Sequence, residues 1–375
     1  MRALTILLFA LLPLEAQILG PILHGPKPFT LTATTTAPAQ TVTIQRLTSS
    51  VAQTLYWGDG ATSPMPAGST ATLSHEYAEA GSYTIRVPDA RRLTAVDLRD
   101  AKLSGLNTAQ LRSSPINYFY VTAITSSTIR SADMTEWRPT SWYLYSMPAG
   151  GTYSIDSADM AAWRPTVWCL YSMPVGTYSI ASADMTAWRP TEWSLYSMPV
   201  CTYSIASADM AAWRPTNWRL YSIPAGTYSI ASADMAAWRP THWYLYSMPT
   251  DGTYSIASVD MAAWTTTQFL RCFAMPAGTV DVTGSFSTLV NLRDLQLQDN
   301  GLTEAQVDAV LTGIWSGKAN YTYATPALNI GGTNAAPSGA YQSQCPPTSG
   351  KEYAYDLVNG ICTAAGPEWT VTFTP

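Results

Sequence analysis

Residues 177–200 read TYSIASADMTAWRPTEWSLYSMPV, and close copies of this unit recur from about residue 129 to residue 278. Repetition with a period of 20 to 50 residues is the signature of a solenoid, whose coils bury their apolar sides against each other. The first tryptophan of the unit recurs at steps of 25 or 26 residues, at Trp137, Trp163, Trp188, Trp213, Trp238 and Trp264. Because each such side chain can bury on the order of 200 Å², we expect this row to form the core.

The unit divides into two extended segments joined by a turn. TYSIAS (177–182) alternates in a way that predicts a short strand, paired with neighbouring coils about 4.8 Å away. Asp184 is predicted to cap the first turn of the segment MTAW, and Pro190 to end that turn. TEWSLYSMP (191–199) then returns as the second extended segment. One unit therefore makes one coil.

Two charged residues keep the same steps through the repeats. The aspartate row is predicted to cap the turns, and calcium is disfavoured because each coil offers one carboxylate whereas calcium takes six or more oxygens. The arginine row has two open interpretations, namely pairing with these aspartates or forming a cationic stripe for an acidic glycan. The rows are Asp133, Asp159, Asp184, Asp209, Asp234 and Asp260, and Arg164, Arg189, Arg214 and Arg239.

Variation between the copies is concentrated at two positions of the motif TxWxL. Alternation places the Trp and Leu on one face of the strand and both variable residues on the other, so these residues are predicted to form two outward columns. Neutral drift at exposed sites is the alternative, but other exposed positions of the unit barely vary. The predicted ligand-binding residues are Ser141, Val167, Glu192, Asn217 and His242 in the first column, and Tyr143, Cys169, Ser194, Arg219 and Tyr244 in the second.

Composition and charge exclude several function classes. Charged residues make up 12% of the 375 residues, the net charge is −5, and the sequence has few lysines. Nucleic-acid affinity rests on clustered Lys and Arg, so we expect no nucleic-acid partner. The three histidines lie far apart, and the sequence contains no HExxH, CxxC, GxSxG or phosphate-binding loop. We therefore predict a protein without catalytic residues, metal or cofactor.

The five cysteines fall into two groups. Cys345 and Cys362 lie near each other in a loop-rich segment and are predicted to form a disulfide. The other three, Cys169, Cys201 and Cys272, occur at unequal phases of the repeats and are interpreted as substitutions. An extracellular compartment is compatible with both groups.

An apolar segment begins the sequence. Arg2 precedes a run from Ala3 to Leu14, which has the length of a signal-peptide core and is too short to span a bilayer. Residues 1–26 are therefore predicted to be a leader, and a cleaved signal peptide and a retained anchor or buried strand both remain open.

Residues 27–87 carry a first resemblance. The sequence WGDG (57–60), followed by HEY (75–77) and GSYTI (81–85), is similar to the PKD domain, an immunoglobulin-like sandwich. The resemblance implies a β-sandwich that serves as a spacer or adhesion unit on extracellular proteins. Asp59 and His75 are expected to act in the turn and in packing.

The units that flank the repeats carry a second resemblance. Residues 292–302 reproduce the LxxLxLxxNxL pattern of leucine-rich repeats, and residues 93–103 do so with Ala101 in place of Asn. Tyr153, Ile155, Ala158 and Met160 keep the offsets of Leu295, Leu297, Asn300 and Leu302. The array resembles the BspA-like branch of bacterial surface proteins, although its unit is longer and richer in aromatic residues. Together with the C-terminal segment, it also resembles phage tail-fibre proteins.

These observations predict a mainly β fold. We expect a PKD-like sandwich over residues 27–90 and a right-handed leucine-rich-repeat-like solenoid over residues 91–302. A C-terminal cap over residues 303–375 is expected to contain one short helix, at residues 303–315.

The predicted function is non-enzymatic recognition or adhesion outside the cytoplasm, with a cell-surface glycan or a protein receptor as partner. The variable columns would supply the contacts. A phage tail-fibre component that binds a receptor from the virion is one alternative. A structural subunit of an extracellular fibre or coat, which would form homo-oligomers, is the other.

Overall fold

The fold is seen in a computed structural model that describes residues 26–99, 102–282, 286–341, 344–362 and 365–375. The predicted leader falls almost wholly outside these residues. Within them, no helix is long and apolar enough to cross a membrane.

Seven short strands form the N-terminal part of the fold: β1 (Phe29–Thr35), β2 (Gln40–Ile44), β3 (Arg46–Ser49), β4 (Gln53–Tyr56), β5 (Thr62–Met65), β6 (Leu73–Tyr77) and β7 (Gly81–Val87). Their pairing is antiparallel, in the order β5-β4-β7-β1 in one sheet and β2-β6 in a second. Their alternating apolar residues, such as Val42, Leu55 and Ile85, are buried between the sheets. A small antiparallel unit therefore precedes the repeats, as the alternation predicted.

The remaining strands follow in regular succession. They are β8 (Leu93–Leu98), β9 (Leu103–Ser104), β10 (Tyr118–Thr122), β11 (Thr128–Arg130), β12 (Ser141–Tyr145), β13 (Thr152–Asp156), β14 (Val167–Tyr171), β15 (Thr177–Ala181), β16 (Glu192–Tyr196), β17 (Thr202–Ala206), β18 (Asn217–Tyr221), β19 (Thr227–Ala231), β20 (His242–Tyr246), β21 (Thr253–Ala257), β22 (Phe269–Arg271), β23 (Val280–Asp281), β24 (Asp294–Gln296), β25 (Ala327–Ile330) and β26 (Thr370–Phe373).

Two long parallel sheets result from the stacking of these coils. The large sheet has eleven parallel strands in the order β26-β25-β24-β22-β20-β18-β16-β14-β12-β10-β8, with β3 added antiparallel to β8, and the small sheet has seven, β11-β13-β15-β17-β19-β21-β23. Each central coil supplies its TxWxLY strand to the large sheet and its TYSIA strand to the small sheet. A 3-10 turn follows each small-sheet strand. The solenoid predicted from the repeat period is confirmed.

The interior of the solenoid is built largely from tryptophan. The row after the 3-10 turn, which includes Trp163 and Trp188, has no exposed surface, and the same holds for the tryptophans of the large sheet. The large-sheet indoles stack on each other at centroid distances of 5.6 Å from Trp142 to Trp168 and 5.7 Å from Trp168 to Trp193. The prediction of a buried tryptophan row is confirmed, and a second row lies beside it.

The aspartate row differs from its prediction. Asp184 lies inside the 3-10 helix Ser182–Met185, whose N-cap residue makes no side-chain hydrogen bond. Its carboxylate accepts a hydrogen bond from Ser157 of the preceding coil, with 2.5 Å between Oγ and Oδ2. The same contact repeats in the other central coils. The capping assignment was wrong because stacking brings a donor from another coil.

The N-terminal unit is joined to the first coil by hydrogen bonds. Strand β3 pairs antiparallel with β8, and β1 pairs antiparallel with β9. Thus the strands of residues 27–90 also complete the first edge of the large sheet, and they cover the first coil from solvent.

The described residues of the C-terminal part form two α-helices, whereas one was predicted. Helix α1 (Glu304–Ser316) matches the predicted helix and begins with a capping box between Thr303 and Gln306. Helix α2 (Gly350–Asn359) was not predicted, although Ser349 and Glu352 form a second capping box. The short, polar sequence of α2 lacks a clear helical period, which explains the omission. A disulfide joins Cys345 to Cys362 next to this helix.

Candidate recognition surface

The outer face of the large sheet carries the variable residues in register. Strand pairing places Glu192 beside Asn217 and Ser194 beside Arg219, and equivalent pairs continue through the central coils. The two columns are Ser141, Val167, Glu192, Asn217 and His242, and Tyr143, Cys169, Ser194, Arg219 and Tyr244. The tryptophans and leucines between them point inward and are buried. The alternation of the strands thus produces the two neighbouring columns.

Eight of these ten side chains are half-buried, but two are not accessible. Cys169 is 2% exposed and Ser194 is 0% exposed. Arg219 lies over this part of the column, with 3.3 Å from its Nη1 to the Ser194 hydroxyl. Small residues between large ones are covered by their neighbours in the adjacent coils. The expectation that Cys169 and Ser194 face solvent therefore does not hold in this structure.

A network of charges crosses the two columns. Arg219 forms an ion pair with Glu192 two positions away on the adjacent strand, with 2.6 Å between Nη1 and Oε1. Its guanidinium also lies 5.8 Å from the ring centroid of Tyr244, which Arg271 approaches to 4.9 Å from the next coil. Arg271 in turn pairs with Asp294 at 2.9 Å. These contacts hold long side chains in one arrangement and reduce the entropy that a ligand would have to remove.

His242 sits between apolar and cationic groups. Its ring stacks on Phe269 with 4.7 Å between centroids. Burial lowers the pKa of His242, and the positive charges of Arg219 and Arg271 lower it further. Both the His242 Nδ1 atom and the neighbouring Asn217 Oδ1 atom are buried without a hydrogen-bond partner among the described residues. At neutral pH this part of the surface therefore presents a neutral imidazole.

Aromatic residues dominate the N-terminal end of the same face. Tyr143 stacks on Tyr120 at 4.5 Å, and the Arg99 guanidinium lies 4.2 Å from the Tyr120 ring centroid. Arg46 lies 4.9 Å from the Tyr118 ring centroid. Burial raises the pKa of Tyr143, so its hydroxyl stays protonated and able to donate. Tyr118 and Tyr120, which precede the repeats, extend the predicted columns by one coil.

A third column on this face was missed by the sequence analysis. It consists of half-buried tyrosines whose rings stack at 4.1 to 4.3 Å, and Phe273 continues it at 4.2 Å. Burial raises the pKa of Tyr221, one of them, to about 12. The signal for the column was the invariant Tyr of LYS, two residues after the second variable position. The tyrosines are Tyr145, Tyr171, Tyr196, Tyr221 and Tyr246.

The described residues bring no three His, Cys, Asp or Glu side chains together in a cluster that could hold a metal ion. Each aspartate of the repeat row from Asp159 onward accepts a hydrogen bond from a serine, as Asp184 does from Ser157, and Asp133 is engaged by Thr108 and Arg112. In the N-terminal unit Asp59 pairs with His75 at 2.6 Å and accepts a bond from the Ala61 N–H. These carboxylates serve the local structure.

Comparisons with family models, curated proteins and solved structures find no match for this chain.

Proposed function

We propose that the chain is a non-enzymatic recognition or adhesion protein that binds a cell-surface receptor, either a glycan or a protein, through the outer face of the large sheet. The observation that carries this proposal is the alignment of the variable residues. Five different residue types occur at the first variable position of five consecutive coils, and the register places them in one column. A purely structural face would repeat one residue, as the buried tryptophans do.

The chemistry of the face supports the proposal. Tyr and Arg are enriched in recognition surfaces because they combine contact area with hydrogen bonding. Tyr143, Arg219 and Tyr244 are half-buried, so each side chain is held by neighbours and still reaches solvent.

A location outside the cytoplasm is part of the proposal. The disulfide between Cys345 and Cys362 supports it, because such bonds persist in oxidising compartments. A virion exposed to the medium meets the same condition.

The test compares binding of the wild type and a triple variant, Tyr143→Ser, Arg219→Ser and Tyr244→Ser, to intact cells and to a polysaccharide array. The matched control carries the same three changes on other surfaces, at Tyr56, Arg86 and Tyr341, all of which are exposed. We expect binding to be lost in the first variant and kept in the control. Equal binding by all three proteins would refute the assignment to this face.

The structural-subunit alternative has an observation of its own. Strand β26 ends the large sheet, and its residues Thr370 to Phe373 are exposed or half-buried with no further described strand beyond them. Unpaired strand edges are templates for association. Polymer formation by the purified wild type in sedimentation velocity would favour a fibre or coat subunit, whereas a stable monomer would exclude self-assembly.

A phage tail-fibre component is the other alternative, and it would bind its receptor through the outer face of the large sheet.

We also propose that the coils belong to the leucine-rich-repeat class, and the asparagines of the last coils support this. Asn300 is buried, and its Nδ2 donates to the carbonyls of Cys272 and Leu297. Asn334 repeats this arrangement one coil later, toward Leu297 and Ile330. Such a ladder of buried amides is what the Asn of the LxxLxLxxNxL pattern would provide.

The PKD-like assignment of the N-terminal unit is likewise a proposal. Trp57 is buried, and its backbone carbonyl accepts a 2.8 Å hydrogen bond from the Tyr77 hydroxyl. Gly58, at a φ of 94°, lies so close to the Thr84 backbone that a Cβ atom would meet its carbonyl oxygen at 2.6 Å. These contacts join the two halves of the motif and explain why WGDG and HEY occur together.

A further inference from the structure

A row of arginines runs along one corner of the solenoid, outside both sheets. In five consecutive coils an arginine follows the buried tryptophan and precedes a buried proline, and all five arginines are exposed. They are Arg138, Arg164, Arg189, Arg214 and Arg239. Because the coils stack at the strand spacing of about 4.8 Å, the row extends for roughly 19 Å.

Each guanidinium is held in place by the backbone beneath it. The Arg189 Nη1 donates to the carbonyl of Thr186, at 2.9 Å, and to that of Trp188. Arg138, Arg164 and Arg214 use the same two positions, and Arg239 uses the tryptophan carbonyl. Nε and Nη2 of these arginines have no hydrogen-bond partner among the described residues. Each coil therefore presents an oriented cation with donors to spare.

The acidic side chains nearby do not neutralise the row. None of the five arginines forms an ion pair with an acidic residue of the described chain. In the turns of Arg164 to Arg239 the aspartates are half-buried and receive serine hydroxyls, as Asp184 does from Ser157. In the turn of Arg138 the buried Asp133 pairs with Arg112. Glu136, two residues before Arg138, is an exposed acid in one coil only. Like charges at the spacing of adjacent coils repel each other, and an external polyanion would relieve this repulsion.

We propose that the arginine row binds a linear anionic polysaccharide, carboxylated or sulfated, that lies along the solenoid axis. An extended sugar chain advances per residue by about the spacing of the coils, so the anionic groups on its inward side meet arginines along the row. Guanidinium groups pair with such oxyanions through two parallel hydrogen bonds. A DNA duplex fits the row less well, because its phosphates wind away from a straight line. The site is separate from the outer face of the large sheet and does not rest on the function proposed for that face.

The test is fluorescence anisotropy of labelled dextran sulfate, labelled polygalacturonate and a labelled DNA duplex, each titrated with the full chain at 50 and 200 mM NaCl. The variant Arg164→Gln, Arg189→Gln, Arg214→Gln and Arg239→Gln keeps an N–H donor for the carbonyls but loses the charge. We expect its Kd to rise at least about tenfold at 50 mM NaCl, and the wild-type Kd to rise steeply with salt. Lysine at the same four positions keeps the charge but loses the paired donors, so the Kd of that variant should lie between those of the wild type and the glutamine variant.

The control variant removes four scattered exposed cations by glutamine substitution, at Lys27, Arg86, Arg92 and Arg130. An equal loss in this control, tighter binding to duplex DNA, or no binding by the wild type to either polymer would overturn the proposal. If the glutamine variant does not fold, phenylglyoxal labelling of the wild type decides. Arg189 and Arg214 should be protected by dextran sulfate, and labelling unchanged by the polymer would contradict the site.

Discussion

The Ser157 hydroxyl donates a hydrogen bond to the Asp184 carboxylate of the next coil and accepts one, at 2.8 Å, from the Ala181 N–H of that same coil. Both partners of this buried serine therefore come from one neighbour. The arrangement repeats at Ser182, which accepts from Ala206 and donates to Asp209. Since the serines from Ser131 to Ser232 tie each central coil to the next in this way, the row sets the stacking of the central 3-10 turns.

Replacing one of these serines should destabilise the solenoid. Ser182→Ala leaves the Ala206 N–H and the Asp209 carboxylate without their partner, and a buried group left unsatisfied costs about 1–3 kcal/mol. Urea unfolding followed by circular dichroism measures the free energy of unfolding. Ser204→Ala makes the same chemical change at an exposed position and should cost almost nothing. Equal stability of the two variants would show that the row does not join the coils.

Truncating a tryptophan of the core should destabilise the fold more than replacing one of these serines. Trp188→Ala removes a side chain with no exposed surface, so we expect a loss of about 3–5 kcal/mol in the free energy of unfolding. The control is Val200→Ala, because Val200 is 82% exposed and packs against little. Urea melts of both variants test the difference, and a Trp188 variant as stable as the wild type would mean that the row is not core.

The cysteine pairing predicts a definite count of thiols. Alkylation of the denatured, unreduced chain should modify Cys169, Cys201 and Cys272 only, and reduction should add Cys345 and Cys362. Peptide mass spectrometry identifies the alkylated cysteines before and after reduction. A bridge across 17 residues of sequence should also stabilise the fold by roughly 3 kcal/mol, which Cys345→Ser with Cys362→Ser would remove. Five thiols without reduction would contradict the pairing.

The repeat cysteines should differ in reactivity. Burial raises the pKa of Cys169 to about 12, and its side chain is 2% exposed, so iodoacetamide should not modify it in the folded protein at pH 8. Cys201 is half-buried and should react first. Time-resolved labelling with peptide mapping compares the two. Faster labelling of Cys169 would show that the side chains that cover it move readily.

His242 should make stability depend on pH. Its folded-state pKa is lowered by burial and by Arg219 and Arg271, so protons bind the unfolded chain more tightly. The contribution of neutral His242 to the free energy of unfolding is fully present above the unfolded-state pKa of about 6.5. It is lost as the pH falls toward the folded-state pKa. Between pH 7.5 and pH 5.5, the urea midpoint of the wild type should therefore fall by more than that of His242→Gln. A folded-state NMR titration of His242 at or above 6.5 would contradict this.

Local sequence was sufficient to predict the coil and the residues of its core. Alternation in TEWSLY assigns Trp193 and Leu195 to the core and Glu192 to the outer face, because successive side chains of a strand point in opposite directions. The repeat period then aligns these residues from coil to coil. For the same reason the sequence predicts the outward direction of the first variable column. Helix α1 matches the helix predicted at residues 303–315.

Only the tertiary structure decided which side chains meet across coils. Asp184 finds its partner in Ser157, 27 residues earlier, and no local pattern indicates that choice. Ser194 has an outward position in its strand, yet Arg219 of the next coil covers it. Burial depends on the size of neighbours that are distant in sequence and about 4.8 Å apart after stacking. The strand period therefore determines the direction of a side chain, whereas its partners and its exposure follow from the packing of adjacent coils.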